Sequence, residues 1–339
     1  MKDVATLAGV SLGTVSNVLN SPHLVADATR ERVEEAIRTL GWMRNESARQ
    51  LRAGKSHTVG MVVMDIANPF FADLFTGTEE CVHEHGFSVQ LGNSANLPER
   101  EATQLTLFEQ HRVRGLLLAP IGPASAPIER LRRRGIPTVL VDRISTELDC
   151  CSVAVDDVEG GRLAVAHLLE MGHRRLAFVG GPSDLQQIRD RRLGAQTAIS
   201  EVAHAGAASL LVVSTPRLDA ASGTAAAEEI AVMSEAERPT AVYAANDLLA
   251  IGLLQGFVTH GIRVPGHIAL IGYDDITFAQ SAAVPLSSVR QPRQALGRRA
   301  AELLFAEIDD AEAGRPHTHV QERFTPELVI RRSTAAQLS

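Results

Sequence analysis

The sequence predicts an α/β chain: a small helical unit at the amino end, then two doubly wound subdomains built on parallel sheets. Three observations carry this expectation. Two short apolar-periodic stretches flank a tight turn near the start of the chain. From about Thr58, near-continuous apolar runs alternate with helical stretches, the pattern of strands covered on both faces. The same alternation repeats in the second half, which asks for a second subdomain.

In order along the chain, Val4, Leu7 and Ala8 form the apolar stripe of a first helix, and Val15, Val18 and Leu19 that of a second. Gly9 supplies the left-handed conformation that ends the first, and Ser11 offers an oxygen to cap the second. Helices joined by so short a turn cross steeply, as in the helix-turn-helix of DNA-binding proteins; spacing alone also fits a generic helical hairpin. A third helix reads from about Asp27 to Leu40, with Val33, Ile37 and Leu40 at helical spacing and Gly41 as its stop. The segment Glu46 to Arg52 has about two turns of helical potential, too little to hold unaided in water. Strand-like runs follow at Thr58–Met64, Gly115–Ala119 and Thr138–Val141, then at Leu176–Val179, Ser209–Val213, Ala241–Ala244 and Ile268–Ile271. Ligands of such paired α/β subdomains bind at the carboxyl ends of the strands, in the crevice between the halves.

A chain of 339 residues has room for two or three domains. No stretch approaches the ~20 apolar residues of a membrane span, and the start does not read as a signal sequence, so a cytoplasmic protein is expected. The net charge is −7, but residues 1–57 hold eight basic and six acidic residues, a balance of +2 that leaves −9 for the remainder. A mildly basic head on an acidic body approaches DNA by one end only. Three cysteines, with Cys150 and Cys151 adjacent, make neither a disulfide framework nor a metal spacing and read as buried thiols. His83 and His85, like His317 and His319, lack a third ligand at usable spacing and read as solvated. Val179-Gly-Gly-Pro182 is not the dinucleotide fingerprint, and no phosphate loop or nucleophile elbow appears. The expectation is therefore no enzyme, no cofactor and no metal.

The run DVATLAGVS-x-x-TVS-x-VLN, then VADATRERVEEAIRTLGW, then N-x-x-AR-x-LR, resembles the headpiece of the lactose-repressor (LacI/GalR) family of transcription regulators. The resemblance continues in order through ANPFFADL, GHRRLAFVGGP, YAANDLLAIG, IGYDDI and SVRQP, and so spans essentially the whole chain. It implies a helix-turn-helix headpiece at 1–44, a hinge helix and linker at 45–57, and a periplasmic-binding-protein-like effector and dimerisation domain at 58–339. The first lobe would take about 58–155 and 284–315, the second about 156–283 and 316–333, with crossings near Val155, Val284 and Pro316. It further implies a homodimeric repressor on pseudo-palindromic operator DNA, working in the cytoplasm at the nucleoid. Its small-molecule effector would be a sugar or sugar derivative. The tail Arg331–Ser339 carries no heptad repeat, so a dimer is expected rather than a coiled-coil tetramer. The alternative is a solute-binding receptor module without a DNA role, against which headpiece and hinge both speak.

By this resemblance Leu12 and Gly13 occupy the two main base-reading positions, with Asn17 a turn later. Leu12 suits a thymine methyl and Asn17 an adenine edge, while Gly13 brings no side chain, a departure from more polar relatives. Ser11, Thr14 and Ser16 suit phosphate contacts or serve as caps, and His23 reaches a base or a phosphate. Asn45, Ala48, Arg49 and Leu51 match the hinge helix, Leu51 being the wedge that unstacks a base step in the minor groove, with Arg52 and Lys55 near phosphates. In the crevice, Asp142 follows the third strand, Asn246 follows Tyr243-Ala-Ala and Asp274 ends Ile271-Gly-Tyr. Each alone reads equally as a cap or turn former. Arg191 matches the family's ligand-contacting arginine with Arg189 beside it, and Phe70 and Phe71 line the pocket. Leu218 stands where several relatives carry a ring that stacks on the ligand.

Overall fold

A computed structural model of the chain describes residues 1–42, 56–122, 125–144, 149–202 and 207–335, in two compact units, Met1–Lys55 and Ser56–Ser339. The hinge residues Asn45, Ala48, Arg49, Leu51, Arg52 and Lys55 lie outside the described residues.

In the first unit, α1 (Lys2–Ala8), α2 (Leu12–Asn20) and α3 (Asp27–Thr39) surround one small core of Val4, Ala5, Ala8, Val15, Val18, Val33 and Ala36. Gly9 stops α1 at φ 63°, ψ 39°, and the Val10 amide turns back to the Ala5 carbonyl at 3.0 Å. The Ser11 hydroxyl accepts from the Thr14 amide at 3.0 Å and caps α2. Leu7 and Leu40, expected inside, are exposed. The seven-residue α1 turns its Val4, Ala5 and Ala8 side inward and leaves Leu7 outside it, and Leu40 lies beyond the last regular turn of α3.

Among the described residues the second unit holds two six-stranded sheets. The first contains β1 (Thr58–Val63), β2 (Ser88–Asn93), β3 (Leu116–Leu118), β4 (Thr138–Val141), β5 (Ser152–Val155) and β11 (Gln321–Phe324), in the order β11-β5-β4-β3-β1-β2. Its helices are α4 (Pro69–Glu84), α5 (Pro98–Gln110), α6 (Ser125–Arg133) and α12 (Arg293–Glu312). The second sheet runs β12-β10-β9-β8-β6-β7. Its strands are β6 (Arg175–Val179), β7 (Ser209–Val213), β8 (Ala241–Ala244), β9 (Ala269–Asp274), β10 (Ser287–Arg290) and β12 (Glu327–Val329). Its helices are α7 (Asp157–Glu170), α8 (Gln186–Glu201), α9 (Ala220–Ala231), α10 (Asp247–Thr259) and the short α11 (Thr277–Ser281).

Neighbouring strands are parallel except β12, which runs antiparallel to β10 as an edge strand. Strand β7 is less buried than its apolar run suggests, because it closes the opposite edge of its sheet. Two crossings fall later than the resemblance implied. Since β10 lies in the second sheet and α12 packs on the first, the middle crossing is Gln291-Pro292 and not Val284. Since β11 pairs with β5, the last crossing is Thr325-Pro326 and not Pro316.

Three helix pairs pack at backbone distance through reciprocal glycines. A Cβ on Gly161 of α7 would stand 2.1 Å from the Arg191 carbonyl, and one on Gly194 of α8 would stand 1.9 Å from that of Val158. Gly223 with Gly252 joins α9 to α10 in the same way, and Gly77 with Gly297 joins α4 to α12.

Candidate ligand crevice and nucleic-acid interface

The strand ends that meet in the crevice place the expected groups. Asp142 follows β4 at φ 59° and Asp274 ends β9 at φ 98°, so both carboxylates turn out of the sheet in the left-handed region. Arg191 reaches them from α8. Its Nε donates to Asp157 Oδ1 at 2.8 Å and its Nη1 to the Ala245 carbonyl at 2.7 Å, and Nη1 lies 3.9 Å from Asp274 Oδ1. The guanidinium also stacks 3.7 Å above the Tyr273 ring. All four ionisable groups, Asp142, Asp157, Arg191 and Asp274, are buried. Burial opposes the Arg191 charge, but Asp157, Tyr273 and Asp274 together hold its pKa well above the usual value. Burial pushes the Asp142 carboxyl up to about 8, reinforced by Asp157 and opposed by Arg191. Burial likewise raises Asp274, against the pull of Arg191 and the Gln291 bond.

Phe70 and Phe71 at the start of α4 meet edge to face at 5.0 Å and supply an apolar wall, continued by Leu185, Ile188 and Leu218. Asn246 also lines the crevice, but its polar ends are engaged: Oδ1 caps α10 by accepting from Leu249, and Nδ2 donates to the Leu218 carbonyl. Arg189 is not brought there. It is exposed and donates to the Asp184 carbonyl, because positions two apart on a helix face nearly opposite ways.

Sequence reasoning missed the groups that bridge the lobes. Gln187 Nε2 donates to Asp142 Oδ2 at 2.8 Å, and Asn68 Nδ2 to Asp274 Oδ2 at 3.5 Å. Gln291 Nε2 donates to Asp274 Oδ1 at 2.7 Å, and Arg293 joins Asp73 to the Asp274 and Asp275 carbonyls. Gln187 had one available signal, a place one turn before Arg191 on the same helix face. With these bonds made, the crevice keeps a partly open cavity of about 40 Å³, room for roughly three water-sized bodies.

In the first unit, Leu12, Gly13 and Asn17 are exposed on α2, with Gly13 and Asn17 on the side away from Val15. A Cβ on Gly13 would meet only the Ser11 hydroxyl, at 3.6 Å, so packing does not require glycine there. The Ser11 and Thr14 hydroxyls lie 2.9 Å apart, and Asn20 Nδ2 donates to the Ser16 carbonyl and hydroxyl. These short side chains serve the cap and the last turn of α2, leaving Ser11 and His23 exposed at its edge.

One expectation about histidines is overturned. His317 and His319 are half-buried, and they meet Cys151 and Glu307. The partners missing from local spacing come from elsewhere in the fold.

A helix-turn-helix reader on a chain whose body is two parallel-sheet lobes with a polar crevice defines a ligand-responsive transcription regulator. Residues 1–45 match the bacterial regulatory proteins of the lacI family, and residues 165–334 match the periplasmic binding protein-like domain. The chain is 33% identical over 330 residues to the HTH-type transcriptional repressor PurR of Vibrio atlanticus (strain LGP32), covering 96% of this chain and 98% of the relative. It is 34% identical over 313 residues to the ribose operon repressor of Escherichia coli (strain K12), covering 91% and 92%. The solved transcriptional regulator CelR–cellobiose complex shares 32% identity at a TM-score of 0.71, with 98% of each chain covered. The chain belongs to the lacI family of bacterial regulatory proteins. It is a ligand-controlled, DNA-binding transcriptional repressor and not an enzyme, and the receptor module without a DNA role is excluded.

Proposed function

We propose that the effector is a sugar or sugar derivative held between the lobes by Asp142, Arg191 and Asp274 against Phe70 and Phe71. The convergence of these three buried polar groups, two carboxyls and a guanidinium, on one apolar-walled crevice carries the reading. A polyol needs charged acceptors and donors that take pairs of hydroxyls, plus an apolar wall for its ring carbons. Asn246 holds the end of α10 in place at the crevice wall. Effector hydroxyls take over the carboxylate oxygens now bonded to Gln187, Asn68 and Gln291, which lets the lobes move. Occupancy and operator affinity are then coupled through that motion. The protein works in the cytoplasm at the nucleoid, as a homodimer on a pseudo-palindromic operator, since two-fold proteins read two-fold sites. Leu12 and Asn17 read base edges, Ser11, Thr14, Ser16 and His23 hold the backbone, and the hinge residues around Leu51 enter the minor groove.

A thermal-shift panel of pentoses, hexoses, disaccharides and nucleosides tests the effector class, since a bound ligand raises apparent stability by mass action. The expected result is a sugar that raises the melting temperature, shifts operator binding in a gel, and loses effect in Asp274→Asn. A nucleoside response without a sugar response overturns the carbohydrate assignment. A sugar whose affinity is unchanged by Asp274→Asn overturns the site.

A further inference from the structure

We propose that Cys151, Glu307, His317 and His319 form a zinc-type transition-metal site in the first lobe, at the end of its sheet remote from the crevice. Cys151 immediately precedes β5, Glu307 lies on α12, and the two histidines lie on the segment that leads from α12 into β11. The crevice gathers at the carboxyl ends of the same sheet, so the two sites are separate.

The geometry is that of a four-ligand cage. Cys151 Sγ lies 3.3 Å from His317 Nε2 and 3.7 Å from His319 Nδ1, and the four ligand atoms all fall within 4.8 Å of one another. Tetrahedral zinc, with bonds of about 2.0–2.3 Å, sets neighbouring ligand atoms roughly 3.5 Å apart. The sulfur–imidazole distances bracket that value, and no ligand pair exceeds it by more than about an ångström.

The surroundings favour ligation. His317 Nδ1 pairs with Asp310 Oδ2 at 2.9 Å, so the carboxylate holds the ring proton and leaves the Nε2 lone pair facing the sulfur. Such a carboxylate–imidazole pair is what fixes the tautomer of metal-bound histidines. Glu307 Oε2 is buried among the described residues without a hydrogen-bond partner, and a cation would satisfy it. The Val320 amide donates to the Cys151 sulfur at 3.4 Å. His319 Nε2 faces the Arg132 guanidinium at 3.3 Å, so ligation through Nδ1 requires that exposed arginine to turn into solvent. A thiolate and a carboxylate balance a divalent ion, and the thiol proton leaves to solvent on binding. Cys150, beside Cys151 ahead of β5, packs instead with the apolar cluster of Leu131, Ile136 and Leu140 and takes no part. A cleft bordered by Arg132, Pro137, Ala311 and Arg315 gives the ion a way in.

The test is a cobalt titration of the full-length, reduced, metal-stripped chain. The expected result is one Co²⁺ per chain, with a thiolate-to-cobalt charge-transfer band, the intense visible absorption of four-coordinate cobalt, and displacement by Zn²⁺. Cys151→Ser should abolish the charge-transfer band and weaken zinc binding at least about tenfold. Glu307→Gln should weaken binding but keep that band, whereas Cys150→Ser and Cys81→Ser should change neither. Circular dichroism confirms that each variant is folded. Substoichiometric binding, a weak six-coordinate spectrum, or a charge-transfer band that survives Cys151→Ser would overturn the proposal.

Discussion

Replacing Arg191 by alanine removes the cation that, among the described residues, faces both Asp157 and Asp274 inside the second lobe. Its side chain is 6% exposed, and those of its two partners are 7% and 4% exposed. Removing one member of a buried pair leaves an uncompensated charge and costs about 3–5 kcal/mol. The orphaned Ala245 carbonyl adds about 1 kcal/mol. Against a whole-domain stability of about 5–15 kcal/mol, that loss is close to unfolding. Asp274→Asn should behave differently. Burial already pushes this carboxyl toward its neutral form, and Asn keeps the oxygen that accepts from Gln291, so the expected cost is below about 1.5 kcal/mol. Urea unfolding of the two variants followed by far-ultraviolet circular dichroism measures the contrast. A loss under about 1 kcal/mol for Arg191→Ala, well below the buried-pair range, would mean that the guanidinium is not the keystone of this cluster. Arg191→Ala is then a poor probe of effector binding, and Asp274→Asn a clean one.

Three further outcomes follow. The folded Asp142 carboxyl, raised to about 8, keeps a proton that the unfolded chain loses near pH 4. Its contribution to stability is complete below that lower value and is lost as pH rises to about 8, so the urea midpoint should fall across this window and Asp142→Asn should flatten the fall. Gly194→Ala drives a methyl against the Val158 carbonyl, a backbone atom that no rotamer change can move, and should lower stability by about 3 kcal/mol or more in thermal melts. Asn17→Ala should cost about 1–3 kcal/mol on an operator selected from random duplexes and almost nothing on scrambled DNA, with an unchanged salt slope. Equal losses on both DNAs would remove Asn17 from base reading.

What the sequence disclosed follows the range of the interactions. The Gly9 stop and the Ser11 cap act within a few residues and were legible, as were Asp142 and Asp274 at strand ends. Asn68 and Asp274 stand 206 positions apart, and Cys151 stands 166 from His317, so no local pattern could announce either pair. Arg189 was misplaced because adjacency in sequence was taken for adjacency on a helix face. Asn246 takes the cap reading, with both polar ends engaged, at a place that also borders the crevice. Strand β2 went unread because its alternating, half-exposed residues at a sheet edge lack the continuous apolar run of the central strands.

The reciprocal glycines have a mechanical consequence. Helices seated backbone to backbone cannot slide past one another without collision, so each lobe behaves as a block and relative motion concentrates in the three straps between them. Those straps are short: Asp156, Gln291-Pro292 and Thr325-Pro326. Proline in two of them fixes one torsion and leaves few axes about which the blocks can turn. The middle strap is also tied to the crevice, since its Gln291 holds Asp274. On the proposed effector site, a ligand that takes the Asp274 oxygen would loosen a tether on the axle itself, turning occupancy into rotation at the point where it is felt.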